Sequence, residues 1–209
     1  MMHTAILPEA QQRLWRHLTE EADWLQSAKW YLAGGTGLAL QLGHRLSVDF
    51  DFFSANPGVQ GIADHLRKMG ALTLMSEDSH TLYCTVDGVK MSFIANYPPP
   101  LLHAPLQEGH VDIASVWDIA LMKLIAVVQR AALRDYIDLA QILRGEIRLG
   151  ALLDAGPQKY GDRWNPMIVL RALTTFHDLE GEIPKVLDTV LAGTWQQILR
   201  EAVKKTALK

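Results

Sequence analysis

The chain has 209 residues, 49 % hydrophobic and 21 % charged, with one cysteine and a formal net charge of −3. This composition excludes a disordered chain, and the length suits one compact domain or a domain with an appended helical part. The slight acidity excludes a broad electrostatic footprint for nucleic acid, and the single Cys84 excludes an internal disulfide or a thiolate metal cluster, which fits a reducing cytoplasm. The opening MMHTAILPEAQQRLWRHL has no positive segment leading into an apolar one, and no run of about 18 apolar residues follows. Neither secretion nor membrane spanning is expected.

In chain order, Pro8 opens a predicted helix whose Leu14, Leu18, Ala22 and Leu25 recur at helical spacing. Residues 29–34 read as a short strand that delivers the turn Gly34-Gly35, and Thr36 to Leu42 as the helix leaving it. A strand through Asp49-Phe50-Asp51-Phe52-Phe53 comes next, then a helix from about Gly61 to Met69 closed by Gly70. Ala71–Met75, Thr81–Val86 and Val89–Asn96 read as three strands, the last two joined across Asp87-Gly88, a strong hairpin signal. Pro98-Pro99-Pro100 stops the sheet.

From Ser115, an N-cap candidate with Asp118 in the first turn, the chain is predicted to be helical, with later helices over 136–144, 147–153, 166–178, 183–191 and 194–206. Strands first and helices afterwards indicate an α+β fold: a mixed β-sheet with flanking helices in residues 1–105, and a helical C-terminal half in residues 106–209.

The chemistry concentrates in residues 34–54. Side chains alternate along a strand, so Asp49 and Asp51 share one face while Phe50 and Phe52 anchor the other. Two carboxylates so spaced can hold Mg²⁺ against a triphosphate. Gly34 and Gly35 let the backbone approach phosphates, and a helix beginning at Thr36 aims its free N–H groups at them. Arg45 has the planar fork that suits phosphate oxygens, His44 adjoins it, and Ser47 alternates onto the face of the two acids. The plainer alternatives are a solvated strand face for the acids and a simple turn for the glycines. No two of the eight histidines lie at helical spacing for a metal site.

The string GGTGLALQLGHRLSVDFDFFS, with MKLIAVVQRAALRDYIDLAQIL downstream, resembles the AbiEii/AbiGii toxin family of nucleotidyltransferase-like proteins. Thirteen residues, Thr36 to Val48, separate Gly35 from Asp49, somewhat long for the Gly-Gly and Asp-x-Asp pattern of nucleotidyltransferases. The positions that match the family's second motif are Lys123, Arg134, Asp135, Asp138 and Leu139. The resemblance implies a nucleotidyltransferase-like fold and transfer of a nucleoside monophosphate from an NTP to a hydroxyl. It implies Mg²⁺ on Asp49 and Asp51, and phosphates cradled by Gly34, Gly35 and Thr36. Lys123 would neutralise phosphate charge, Asp138 would serve as base or metal ligand, and Arg134 would steady phosphate or acceptor. It further implies a toxin–antitoxin or phage-defence setting, with a cognate antitoxin as partner and RNA, tRNA in particular, as acceptor.

Two alternatives stay open at this point. One keeps the chemistry but takes a small acceptor of the aminoglycoside type. The other is an NTP-binding module without catalysis, motivated by Ser92, which stands on a later strand where many nucleotidyltransferases carry a third acid.

Helical geometry adds a condition. In one straight helix the fifteen steps from Lys123 to Asp138 would span about 22 Å, too far for a shared small-molecule site. A break is therefore expected between Gln129 and Asp135, near Leu133-Arg134, with Asp135 capping the second helix. The structural alternatives are a capping role for Asp135 and Asp138, and a Lys123 that merely reaches water.

Overall fold

A computed structural model of the chain describes residues 2–97, 99–177, 179 and 184–207. The expectations for Pro98, Asp178, Ile183 and Lys209 lie outside them. The chain divides into two compact units, Met1–Ser115 and Val116–Lys209.

The first unit is built on a seven-stranded mixed sheet. Its strands are β1 (Tyr31–Ala33), β2 (Asp49–Phe53), β3 (Leu72–Glu77), β4 (Thr81–Val86), β5 (Val89–Ile94), β6 (Leu106–Glu108) and β7 (Val111–Ile113), in the order β3-β4-β5-β2-β1-β7-β6. β2 pairs antiparallel with β1 and parallel with β5, so the acid strand is central. The division expected after residue 105 leaves out β6 and β7, which pair with each other and, through β7, with β1.

One face of this sheet is closed. Phe50 and Phe52 are fully buried with Leu82, Cys84, Met91 and Phe93, and Phe52 stacks on Phe93 with ring centroids 5.1 Å apart. Over them lie α1 (Glu9–Glu21), α2 (Asp23–Ser27) and α4 (Ile62–Met69), whose Leu14, Trp15, Leu18, Leu25, Ile62 and Leu66 complete the core. The expected single N-terminal helix is two, because Ala22 leaves helical geometry with ψ 53°. Its apolar stripe still reaches the core at Leu14, Leu18, Ala22 and Leu25. The Asp87-Gly88 hairpin forms as expected: φ is 49° and 79°, the two left-handed residues of a type I′ turn, whose twist matches the strands it joins.

The second unit is helical: α5 (Val116–Gln129), α6 (Leu133–Leu143), α7 (Leu149–Tyr160), α8 (Pro166–Ala172) and α9 (Thr189–Ala207). Tyr136, Phe176 and Trp195 form an aromatic cluster, with Phe176 and Trp195 edge to face at 5.1 Å. α7 runs past the expected end at residue 153, through Pro157. Proline has no N–H for the carbonyl four residues back, and the Trp164 indole N–H donates to that Leu153 carbonyl instead, at 3.1 Å. α8 stops at Ala172, short of the expected 178, where Thr174 and Thr175 donate their hydroxyls to the carbonyls of Leu170 and Arg171. Gly193 is carried inside α9, which spans both of the last two expected helices from Thr189 onward. Asp188 caps it, accepting from the N–H groups of Val190 and Leu191 at 3.0 Å.

Candidate active site

The acid pair sits as the alternation requires. Phe50 and Phe52 are buried, whereas Asp49, Asp51 and Phe53 are half-buried on the other face. β1 leads directly into α3 (Gly34–Leu42), so the helix begins at Gly34, two residues earlier than expected. Gly34, Gly35 and Thr36 therefore form its first turn, where backbone N–H groups have no partner within the helix. Gly34 has φ 64°, and a Cβ there would stand 2.7 Å from Oδ2 of Asp51. The glycine is thus the space that the carboxylate occupies.

Gly35 does the same for two other expected residues. A Cβ on it would lie 2.6 Å from Nη2 of Arg45 and 2.9 Å from Oγ of Ser47. Arg45 is buried and also donates through Nη1 to the Leu46 carbonyl at 2.9 Å, while His44 beside it is buried too. Thr36 is fully buried and its hydroxyl donates to the Asp49 main-chain carbonyl. Its side chain ties the helix to the acid strand, which leaves its backbone N–H as the group to offer a phosphate.

Parallel pairing places Ser92 opposite Asp51, and its hydroxyl donates to Asp51 Oδ1 at 2.6 Å. This position, where a third acid was sought, holds a donor that fixes the second acid. Among the described residues no group of three or more His, Cys, Asp or Glu side chains could hold a metal ion. Two carboxylates on one face nevertheless fit Mg²⁺, which commonly takes one or two carboxylates and completes its shell with water and substrate phosphates.

In the second unit, Gln129 ends α5 and Leu133 begins α6, so the helix breaks within the expected interval. The break lets α6 pack back on α5, and Lys123 Nζ lies 2.6 Å from Asp135 Oδ1 and 2.7 Å from Asp138 Oδ2. The structure brings the lysine and both acids together. The expected cap is corrected: Ala132 is the N-cap of α6 and Asp135 lies in its first turn. Its carboxylate is drawn instead to Lys123 and to Arg130, whose Nε donates at 3.0 Å. Burial, with the Asp135 carboxylate nearby, raises the Tyr136 phenol above its ordinary value. Arg134 is exposed, and its side chain makes no hydrogen bond among the described residues.

A second buried ion pair was not anticipated. Lys159 Nζ donates to Asp118 Oδ1 at 2.8 Å, with both side chains fully buried. Asp118 read only as a first-turn acid, and nothing local marks Lys159 as its partner 41 residues away.

Residues 18–81 match the family model described as nucleotidyl transferase AbiEii toxin of a type IV TA system. That stretch takes in the glycine turn and the acid strand and ends before Lys123. An uncharacterized protein of Aquifex aeolicus is 38 % identical over 119 residues, 54 % of this chain and 57 % of that one. The chain thus spans little more than half the length of that curated relative. Among solved structures, MenT4, a nucleotidyltransferase toxin from Mycobacterium tuberculosis, superposes with a TM-score of 0.60 at 17 % identity, covering 95 % of this chain and 82 % of that one. An H. pylori protein described as a nucleotidyltransferase gives 0.55 at 14 % identity, covering 95 % and 92 %. Residues 18–81 therefore match the AbiEii nucleotidyltransferase model, on a chain whose fold is similar to that of these two solved structures.

Proposed function

We propose that the protein transfers a nucleoside monophosphate from an NTP to a hydroxyl acceptor and releases pyrophosphate. The observation that carries this is the Asp51 carboxylate, held by Ser92 directly over Gly34 at the start of α3, with Asp49 on the same strand face. Asp49 and Asp51 would hold Mg²⁺, which when bound supplies positive charge against the triphosphate. The first-turn N–H groups of Gly34, Gly35 and Thr36 offer donors to phosphate oxygens, and Arg45 and Ser47 border that turn.

The second motif enters on the family resemblance: Lys123 as countercharge, Asp138 as base or metal ligand, Arg134 as phosphate or acceptor contact. The same resemblance supports a toxin–antitoxin or phage-defence role, an antitoxin partner and an RNA acceptor such as tRNA, and the single cysteine fits the cytoplasm.

Incubation with Mg²⁺, each α-labelled NTP in turn and total bacterial RNA tests the proposal. Label should enter RNA and be lost with Asp51→Asn. Ser92 in place of an acid favours one second reading, a nucleotide-binding module without transfer. Mg²⁺-dependent NTP binding with no label in RNA or in any small-molecule acceptor would establish that reading and reject transfer.

A further inference from the structure

The strand face that bears the acids continues beyond Asp51 and its partner Ser92, and farther out its side chains are uncommitted among the described residues. Strand pairing aligns Asp51 with Ser92, Tyr83 and Ser76 in one row across β2, β5, β4 and β3. A second row runs Asp49, Lys90, Thr85, Thr73. The reverse side of these strands is the core, with Leu82, Cys84, Val86, Met91 and Phe93 all buried. On the outward side, Thr73, Ser76 and Lys90 are exposed and Tyr83 keeps 43 % of its surface in solvent. None of Thr73, Ser76, Tyr83, Thr85 and Lys90 makes a side-chain hydrogen bond or ion pair among the described residues. An exposed aromatic with a lysine and three hydroxyls around it, all without internal partners, is surface available to a ligand.

We propose that this face receives a single-stranded nucleic-acid acceptor, with Tyr83 stacking on a base and Lys90 holding a backbone phosphate. The inference rests on the transferase reading above and gives the RNA acceptor of that reading a place on the sheet. Tyr83 stands two strands from Asp51, about 10 Å along the sheet. An acceptor whose terminal hydroxyl lies at the acids can thus lay a neighbouring base on the ring.

Charge selects between acceptor classes. Beyond Asp49 and Asp51 the rows contain no acid and one cation, so a polycationic aminoglycoside meets no complementary carboxylate there, whereas a phosphate meets Lys90. At a net charge of −3 the chain has little general attraction for nucleic acid, which leaves stacking as the main source of affinity. Stacking on an aromatic ring is tolerant of sequence because every base has a π-face.

The test measures fluorescence anisotropy of a short fluorescein-labelled single-stranded RNA on the full chain, with Mg–NTP binding followed on the same samples. Tyr83→Ala is expected to weaken RNA binding about tenfold and Tyr83→Phe to restore it. Lys90→Gln should lower affinity and reduce the slope of log K against log salt by about 1. NTP binding should be unchanged in all three variants. Equal RNA affinity across the variants, or a wild-type protein that binds Mg–NTP but no RNA, overturns the inference while leaving the nucleotide site standing. RNA binding that responds to Tyr83 and Lys90 in a protein that binds no NTP would support the surface and overturn the transferase reading instead. Label that enters aminoglycosides and never RNA overturns the inference as well.

Discussion

Ser92 donates its hydroxyl to Oδ1 of Asp51 at 2.6 Å, across two parallel strands whose register sets the two residues side by side. A hydroxyl here orients the carboxylate without adding a like charge beside it. Removing it with Ser92→Ala should leave the fold unchanged and weaken Mn²⁺ or Mg²⁺ binding by about tenfold, the lower end of what outer-shell partners of metal ligands contribute. Titration calorimetry with each ion reads this, and undiminished affinity would show that Asp51 needs no help from Ser92.

Gly34 and Gly61 separate backbone strain from displacement of the site. Both have positive φ, 64° and 83°, but a Cβ on Gly34 would strike Asp51, whereas one on Gly61 meets nothing within 4 Å. Alanine at either position should lower stability by about 1–2 kcal/mol through the left-handed backbone. Gly34→Ala alone should also reduce Mg²⁺-dependent NTP binding, by more than tenfold, because the carboxylate must move. Comparable nucleotide affinity in the two variants would remove Gly34 from the site.

Lys123 is shared by two buried carboxylates, so its loss takes the ammonium from both, while Arg130 stays on Asp135. Lys123→Met should destabilise the protein by about 3–5 kcal/mol, the range for breaking a buried pair by removing one partner. Adding Asp135→Asn and Asp138→Asn should recover much of that, since no uncompensated charge remains. Urea unfolding of the single and triple variants measures both values. A single variant as stable as the wild type would mean that the acids find other partners.

Burial pushes the Cys84 thiol up from 9.0 to about 11. The folded state therefore holds the proton more tightly than the unfolded state does. The stability linked to this group is fully present below pH 9 and is lost as pH rises from about 9 to about 11. Cys84→Ala should flatten the fall in stability over that window, and native Cys84 should resist thiol reagents at pH 8 until the chain unfolds. Rapid labelling of folded protein at that pH would contradict the burial.

Where local pattern decided structure, the sequence was legible. Alternation alone put Phe50 and Phe52 in the core and Asp49 and Asp51 on the opposite face, and Asp87-Gly88 specified its hairpin. A break before Asp138 was legible too, because a straight helix could not bring that acid to Lys123. Contacts between distant segments were not legible. The role of Ser92 depends on a parallel register with β2, 41 residues away, and the Asp118–Lys159 pair spans the same separation. Asp135 looked like a cap because Asp favours caps, but a buried ammonium outcompetes backbone N–H groups for its carboxylate. The helix expected to end at residue 153 continues through Pro157, because the Trp164 indole satisfies the carbonyl that proline leaves open.

The two sides of β4 and β5 answer to different demands. Leu82, Cys84, Met91 and Phe93 are locked among other core side chains, while Tyr83, Thr85 and Lys90 are exposed or half-buried and make no side-chain hydrogen bond or ion pair among the described residues. Surface positions of that kind typically change stability by no more than about 0.5 kcal/mol when replaced. The outward residues of this sheet can therefore be exchanged almost without penalty to folding, while Asp49, Asp51 and the core beneath them stay as they are.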